Sequence, residues 1–291
     1  MCTTCGCSDK VHASVTDPDT GETEALHALD GHDGHEHHHH DHAHDHEHHH
    51  DHVHDHATTV ALNEEILAKN NRFAERNRGW FAGRNILALN LLSAPGSGKT
   101  TLLERTLRDL KDQLTIQVIE GDQATTQDAE RIRATGCKVV QINTGTGCHL
   151  EADMLARGLQ RLAPPLDSIV MIENVGNLVC PALFDLGERA KIVILSVTEG
   201  EDKPIKYPHM FRAAQVMILN KTDLLAYVDF DVDRCLAYAC QVNPRLRIFQ
   251  LSATKGTGLA DWYGWLRAEM KASCSKSLSL DEEALARGVR P

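Results

Sequence analysis

The sequence predicts an α/β fold in which helices flank a mostly parallel sheet, and three observations carry that prediction. Apolar runs of strand length alternate with helical patterns from residue 85 to about 272. Several runs are apolar on both faces, as strands buried between two helix layers are. The first run leads into a glycine-rich loop and then a helix, a succession suited to phosphate. The 291 residues suit one such domain with appendages.

The elements follow in order. Residues 1–57 hold 13 Asp/Glu against one Lys, so they contribute −12 of the net −11 and the rest of the chain about +1. Seventeen of the 19 histidines lie at or before His56. With so few large apolar side chains this arm is expected to be largely disordered without metal. Residues 58–84 predict a helix packing on the domain, with Leu62, Ile66, Phe73 and Trp80 as its apolar positions and Leu67 and Phe81 alongside, Thr58 or Thr59 as cap, and a solvated Asn/Arg-rich face. The domain itself is expected over 85–272. Its strands are read at 86–92, 115–119, 138–142, 168–172, 191–197, 215–219 and 247–251, and its helices at about 99–112, 125–135, 150–162, 231–242 and 258–271. Residues 273–291 read as a frayed tail, with Ser279 and Glu282 able to cap a short helix.

Composition excludes several classes. No basic stripe is available for nucleic acid, and no apolar run approaches the ~18–20 residues of a membrane span. The N-terminus lacks the apolar core of a secretory signal. Nine cysteines, an odd number, in a chain without an export signal argue for a reducing, cytoplasmic setting, where clustered thiols bind metal or do redox work.

The loop Ser93-Ala-Pro-Gly-Ser-Gly-Lys-Thr100 is a P-loop whose first glycine is replaced by Ser93. Gly96, Ser97 and Gly98 let backbone N–H groups curl around phosphates at a helix N-terminus, and Thr101 continues that turn. Lys99 is placed to reach the β and γ oxygens and the Thr100 hydroxyl to ligate Mg²⁺. The fold class is therefore that of a P-loop NTPase. Asn220-Lys221-Thr222-Asp223 ends a strand in the N-K-x-D arrangement that selects guanine: the carboxylate accepts from the ring N–H and the exocyclic amine, a donor pair adenine lacks. Ser252 and Ala253 begin a second base-contacting loop. GTP is thus expected over ATP. Asp122 and Glu173 are candidate Mg²⁺ or water-positioning acids at strand ends, and Gly176 is a candidate γ-phosphate sensor. Asn177 follows Gly176 where a glutamine could orient water, so intrinsic hydrolysis is expected to be slow.

Three groups carry metal-ligand chemistry. Cys2, Cys5 and Cys7 form a soft, sulfur-rich set suited to planar Ni²⁺ or tetrahedral Zn²⁺. Residues 32–56 contain 15 His and 7 Asp/Glu, enough for on the order of three divalent ions. Cys148, His149 and Cys180 form the third set, one donor short of a closed site, which a symmetric dimer would complete. Cys180 lies four residues past Gly176, a span of at most ~14 Å, so metal and nucleotide sites are mechanically tied. Cys137, Cys235 and Cys240 read as core packing and Cys274 as a tail thiol.

Taken together, M-C-T-T-C-G-C, the His-rich segment, N-N-R-F-A-E-R-N-R, S-A-P-G-S-G-K-T-T, E-G-D-Q, G-C-H, E-N-V-G-N-L-V-C-P and N-K-T-D resemble the HypB family, GTPases of nickel insertion into [NiFe]-hydrogenase related to the urease accessory protein UreG. The likeness covers residues 60–270 and the first seven. It implies nickel delivery to the hydrogenase large-subunit precursor by a homodimer favoured by GTP and metal. It also implies a nickel site at Cys2, Cys5 and Cys7, a second metal site at Cys148, His149 and Cys180, and HypA-type and SlyD-type partners. Two other readings remain open: a urease-type nickel GTPase, and a nickel or zinc store with a regulatory G domain.

Overall fold

The computed structural model describes residues 13–18, 20–26, 56–122, 127–145 and 147–286, the side chains of 56–63 and 274–286 excepted. The first metal set and nearly all of the His-rich tract lie outside those residues.

Seven strands make the parallel body: β3 (Leu87–Ser93), β4 (Ile116–Asp122), β5 (Val139–Asn143), β6 (Ile169–Glu173), β7 (Ala190–Ser196), β8 (Val216–Asn220) and β9 (Arg247–Gln250). Their spatial order is β5-β4-β6-β3-β7-β8-β9, so the chain reverses direction around β3. In such sheets ligands bind beyond the carboxyl ends of the strands, where the order switches. Both faces of the strands are covered. On β3, Leu87, Leu89 and Leu91 enter one apolar cluster with α2 (Lys99–Leu110), α3 (Gln127–Arg133) and α9 (Leu259–Ala286). Ala88 on the opposite face joins α1 (His56–Gly83) and α4 (Ala152–Leu162). A third cluster packs α7 (Pro208–Ala213) and α8 (Val232–Val242) against β7 and β8. Two single-turn helices, α5 (Cys180–Leu183) and α6 (Lys203–Lys206), and a 3₁₀ turn at Thr222–Tyr227 sit at the strand ends. Trp262 of α9 is fully buried and donates its Nε1–H to Thr106 Oγ1 at 3.0 Å. No helix of the described residues is long and apolar enough to cross a membrane.

The structure departs from the sequence reading in five places. Within residues 1–57, β1 (Ala13–Thr16) and β2 (Thr23–Leu26) form a hairpin whose first strand adds antiparallel to β5. The A-S-V-T alternation buries Ala13 and Val15, Gly21 turns at φ 73°, and Arg161 holds Glu22 and Glu24 at 3.3 and 2.8 Å. Second, α9 continues to Ala286 instead of fraying from 273. Third, Ile66 is exposed; Phe73, Trp80 and Phe81 pack on the core as expected, and Asn70, Ala74 and Asn77 join them there. Fourth, Asn70 and Asn77 are buried and hydrogen-bonded, while Asn71, Arg72 and Arg76 are exposed as expected of the Asn/Arg-rich face. Fifth, Cys240 is exposed on α8 and Cys137 only half-buried; of the three cysteines read as core, Cys235 alone is fully buried.

Candidate nucleotide and metal sites

The turn after β3 lines a cavity of about 530 Å³ together with Glu120, Gly121, Asp122, Asp128, Arg131, Asn174, Val175, Gly176 and Lys221. Gly96 and Gly98 adopt φ 77° and 91°, a left-handed conformation that glycine takes without a Cβ penalty. A Cβ at Gly98 would lie 2.6 Å from Asn220 Nδ2, so the loop also needs glycine for space. Ser97 is buried with its hydroxyl unpartnered. Lys99 Nζ donates to Asn174 O at 2.7 Å and pairs with Glu173 Oε1 at 3.3 Å. Thr100 Oγ1 donates to that same carboxylate oxygen at 2.6 Å.

Three acids converge here. Glu120 and Glu173 are neighbours across the β4–β6 register, and Asp122 follows two residues on. Burial, then the charges of Glu173 and Asp122, push the Glu120 carboxyl up to about 9. Glu120 Oε2 and Glu173 Oε2 are both buried without a hydrogen-bond partner. A threonine hydroxyl beside clustered carboxyl groups, two of whose buried oxygens have no hydrogen-bond partner, offers the oxygen donors a hard divalent cation takes, so the donor set suits Mg²⁺.

The residues expected to read the base form a second corner. Asn220, at the end of β8, is 1% exposed; its Nδ2 donates to Ser97 O at 3.0 Å and its Oδ1 accepts from Ala253 N at 3.1 Å. Lys221 takes a left-handed φ of 61° and reaches Gly96 O at 2.7 Å. Ser252 Oγ donates to Asp223 Oδ1 at 2.5 Å while accepting from Lys255 N at 3.0 Å. One carboxylate oxygen is thereby oriented and charge remains for a ligand.

Cys148, His149 and Cys180 also come together, their ligand atoms all within 4.8 Å of one another. His149 is 3% exposed, and burial pushes its imidazole down to about 4, so it is neutral and able to ligate at physiological pH. Its Nε2 has no hydrogen-bond partner, and its ring lies against Phe184 with centroids 3.9 Å apart. Cys148 Sγ lies 3.6 Å from Nδ1. Two thiols and a neutral imidazole suit a soft or borderline ion such as Ni²⁺ or Zn²⁺.

Residues 87–250, more than half the chain, match the CobW/HypB/UreG nucleotide-binding domain. The hydrogenase maturation factor HypB of Escherichia coli K12 is 60% identical over 205 residues, covering 70% of this chain and 71% of that protein. The chain belongs to the HypB family of hydrogenase maturation factors. HypB of Cupriavidus necator is 44% identical over an alignment covering 92% of this chain and 88% of its own. The crystal structure of Helicobacter pylori HypB in complex with nickel superposes with a TM-score of 0.66 at 38% identity, covering 70% of this chain and 96% of that one.

Measured against this HypB-type domain, sequence reasoning missed three residues, Glu120, Asn174 and Arg131, and the link that Asn177 makes to the metal site. Glu120 shares the buried acidic corner, a role its E-G-D context hints at. Asn174 accepts from Leu150 N at 3.2 Å and Val175 N at 3.0 Å through its side chain, as well as from Lys99 through its carbonyl. Asn177 Nδ2 donates to Cys148 O at 3.4 Å. Arg131 lines the cavity and bonds Glu104, Asp128 and Thr101.

Proposed function

We propose that this protein is a GTP-hydrolysing nickel metallochaperone that delivers Ni²⁺ to the hydrogenase large-subunit precursor. One observation carries the reading: the segment from Glu173 to Cys180 touches both sites. Glu173 holds Thr100, Asn174 holds Lys99, Asn177 holds the Cys148 carbonyl, and Cys180 is itself a donor. Membership in a family of hydrogenase maturation factors, and a relative crystallised with nickel, support the choice of client and cargo.

GTP is bound through the backbone of 96–101, with Lys99 released from Asn174 O to meet the β and γ oxygens. Asp223, Ser252 and Ala253 read guanine, with Asn220 tying their loops to the phosphate loop. Thr100 and Asp122 would hold Mg²⁺, which would supply positive charge to the phosphates. Asp122 and Glu173 orient the water that attacks the γ-phosphorus as the bond to the β,γ-bridging oxygen breaks. With Asn177 in the position where a glutamine would help, hydrolysis is slow. Gly176 senses the γ-phosphate from the wall of the phosphate cavity, where a side chain would crowd Pro95, its Cβ 3.2 Å from Pro95 Cγ. Release of phosphate relaxes 174–180, which moves Cys180 away from Cys148 and His149 and frees the nickel.

The reading extends to a cytoplasmic homodimer, favoured by GTP and metal, that completes the three-donor set from both protomers. Cys2, Cys5 and Cys7 form its high-affinity nickel site, the His-rich tract its reserve, and Zn²⁺ competes at the Cys148 set. HypA-type and SlyD-type proteins are its exchange partners. The test is hydrogenase activity in cells lacking the protein. Activity should be absent at low nickel, restored by the wild type but not by Lys99→Ala, and partly restored by added nickel. Full restoration by Lys99→Ala at low nickel would contradict a GTP-driven role.

A further inference from the structure

Two buried asparagines of α1 tie together the two loops that carry Cys148, His149 and Cys180. Asn70 accepts from Ala152 N at 2.9 Å and donates to Asp185 O at 2.7 Å. Asn77 donates from Nδ2 to Ala152 O at 2.7 Å and to Leu186 O at 3.1 Å. Ala152 lies three residues after His149; Asp185 and Leu186 lie five and six after Cys180. Each asparagine therefore touches both loops. They are 4% and 5% exposed, so water cannot replace these bonds without the helix moving. Arg78, on the next residue, adds an ion pair to Asp185 at 2.5 Å. Phe184, directly before Asp185, lies against the His149 ring. The clamp thus sets both the separation of the loops and the apolar wall against the imidazole.

We propose that α1 is the positioning element of the Cys148–His149–Cys180 set, with Asn70 and Asn77 fixing the distance between its two halves and thereby its metal affinity. The inference rests on the reading that this set binds the transported metal. Metal–thiolate and metal–imidazole bonds near 2.0–2.3 Å tolerate little error in donor spacing. Side chains that hold ligand loops in place without touching the ion govern affinity for that reason. The helix lies outside residues 87–250, so these two asparagine bonds come from beyond the shared nucleotide-binding domain and add to its own contacts between the loops.

The test uses the full-length chain with Cys2, Cys5 and Cys7 changed to Ser, so that thiolate-to-nickel charge-transfer absorption reports Cys148 and Cys180 and is blind to histidines. Nickel affinity is measured from that band by chelator competition, with GDP affinity and Tm alongside. Asn77→Ala and Asn70→Ala, which remove the loop bonds without burying a charge, should each weaken nickel binding, Asn77→Ala by about tenfold or more, with GDP affinity unchanged. Phe73→Ala loosens the packing of α1 without touching either loop bond and should leave nickel affinity unchanged at a comparable loss of Tm. The inference is overturned if both asparagine variants bind nickel as the parent does while Cys148→Ser abolishes the band, or if Phe73→Ala weakens nickel binding equally. A band that survives Cys148→Ser overturns the metal-site reading itself, and the inference with it.

Discussion

Replacing Asp223 by Asn changes one oxygen to an amide nitrogen, and its effect follows from the base corner. Asp223 Oδ1 already accepts from Ser252 Oγ at 2.5 Å, which fixes the carboxylate plane. The remaining acceptor capacity is what guanine's N1–H and exocyclic N–H₂ require. A hydrogen bond to a charged group contributes about 1.5–3 kcal/mol and an unsatisfied partner costs about 1–3 kcal/mol more, so losing one bond and stranding its donor costs about 3–6 kcal/mol, or roughly two to four decades of affinity. The Asn amide would also present a donor to a donor. Xanthine carries a carbonyl where guanine carries the amine, so Asp223→Asn should gain affinity for XDP while losing it for GDP. Ser252→Ala removes only the orienting bond and should cost about 1–2 kcal/mol. Calorimetric titration of nucleotide-free protein with GDP, XDP and ADP measures all three effects. GDP affinity within a few-fold of wild type in Asp223→Asn, or equal affinity of the wild type for ADP and GDP, would refute the guanine reading.

The other predictions concern stability and coupling. His149 is held neutral in the fold, its pKa depressed to about 4 against the ordinary value near 6.5. The stability this contributes is present above pH 6.5 and is lost as pH falls through 4, so metal-free protein should lose about 3 kcal/mol over that window; a denaturation series with His149→Phe should flatten that part of the curve. Glu120 has the opposite sense: its pKa is raised to about 9, so stability is fully present below 4.5 and declines as pH rises toward 9. Glu120→Gln, a neutral isostere, should therefore raise the Tm of nucleotide-free protein at pH 8 more than at pH 5; an equal Tm change at both would argue against a buried, neutral Glu120. Gly121→Ala would place a Cβ 2.7–2.9 Å from three carbons of Leu150, beside His149, and should destabilise by about 1–3 kcal/mol in thermal unfolding. Trp262→Phe removes the bond to buried Thr106 and should cost about 1–2 kcal/mol by the same assay.

The parallel sheet was legible because strands covered on both faces leave apolar runs, such as Ile169–Ile172 and Leu87–Leu92, the latter broken only by Asn90. The phosphate loop and Asn220–Asp223 were legible because their chemistry sits in one short stretch of chain. What escaped depends on partners remote in sequence. Asn70 and Asn77 look like a solvated face until Ala152, Asp185 and Leu186 arrive 75 to 115 residues later to satisfy them. Glu120 acquires its importance from Glu173, brought beside it only by the β4–β6 pairing. The hairpin over 13–26 is short enough that local alternation competes poorly with an acidic surrounding, and its register is fixed by β5. Cys240 shares a helix with buried Cys235 but stands five residues on, which turns it to the exposed side.

The central claim is that nucleotide state sets metal affinity at Cys148, His149 and Cys180 through the segment 173–180. The direct measurement is nickel affinity of the chain carrying Cys2, Cys5 and Cys7 changed to Ser, read from thiolate charge transfer with GDP and with a non-hydrolysable GTP analogue. The account predicts tighter binding with the GTP analogue, a matching factor in nucleotide affinity when nickel is present, and loss of both in Asn177→Ala. Identical nickel affinities in the two nucleotide states would contradict it.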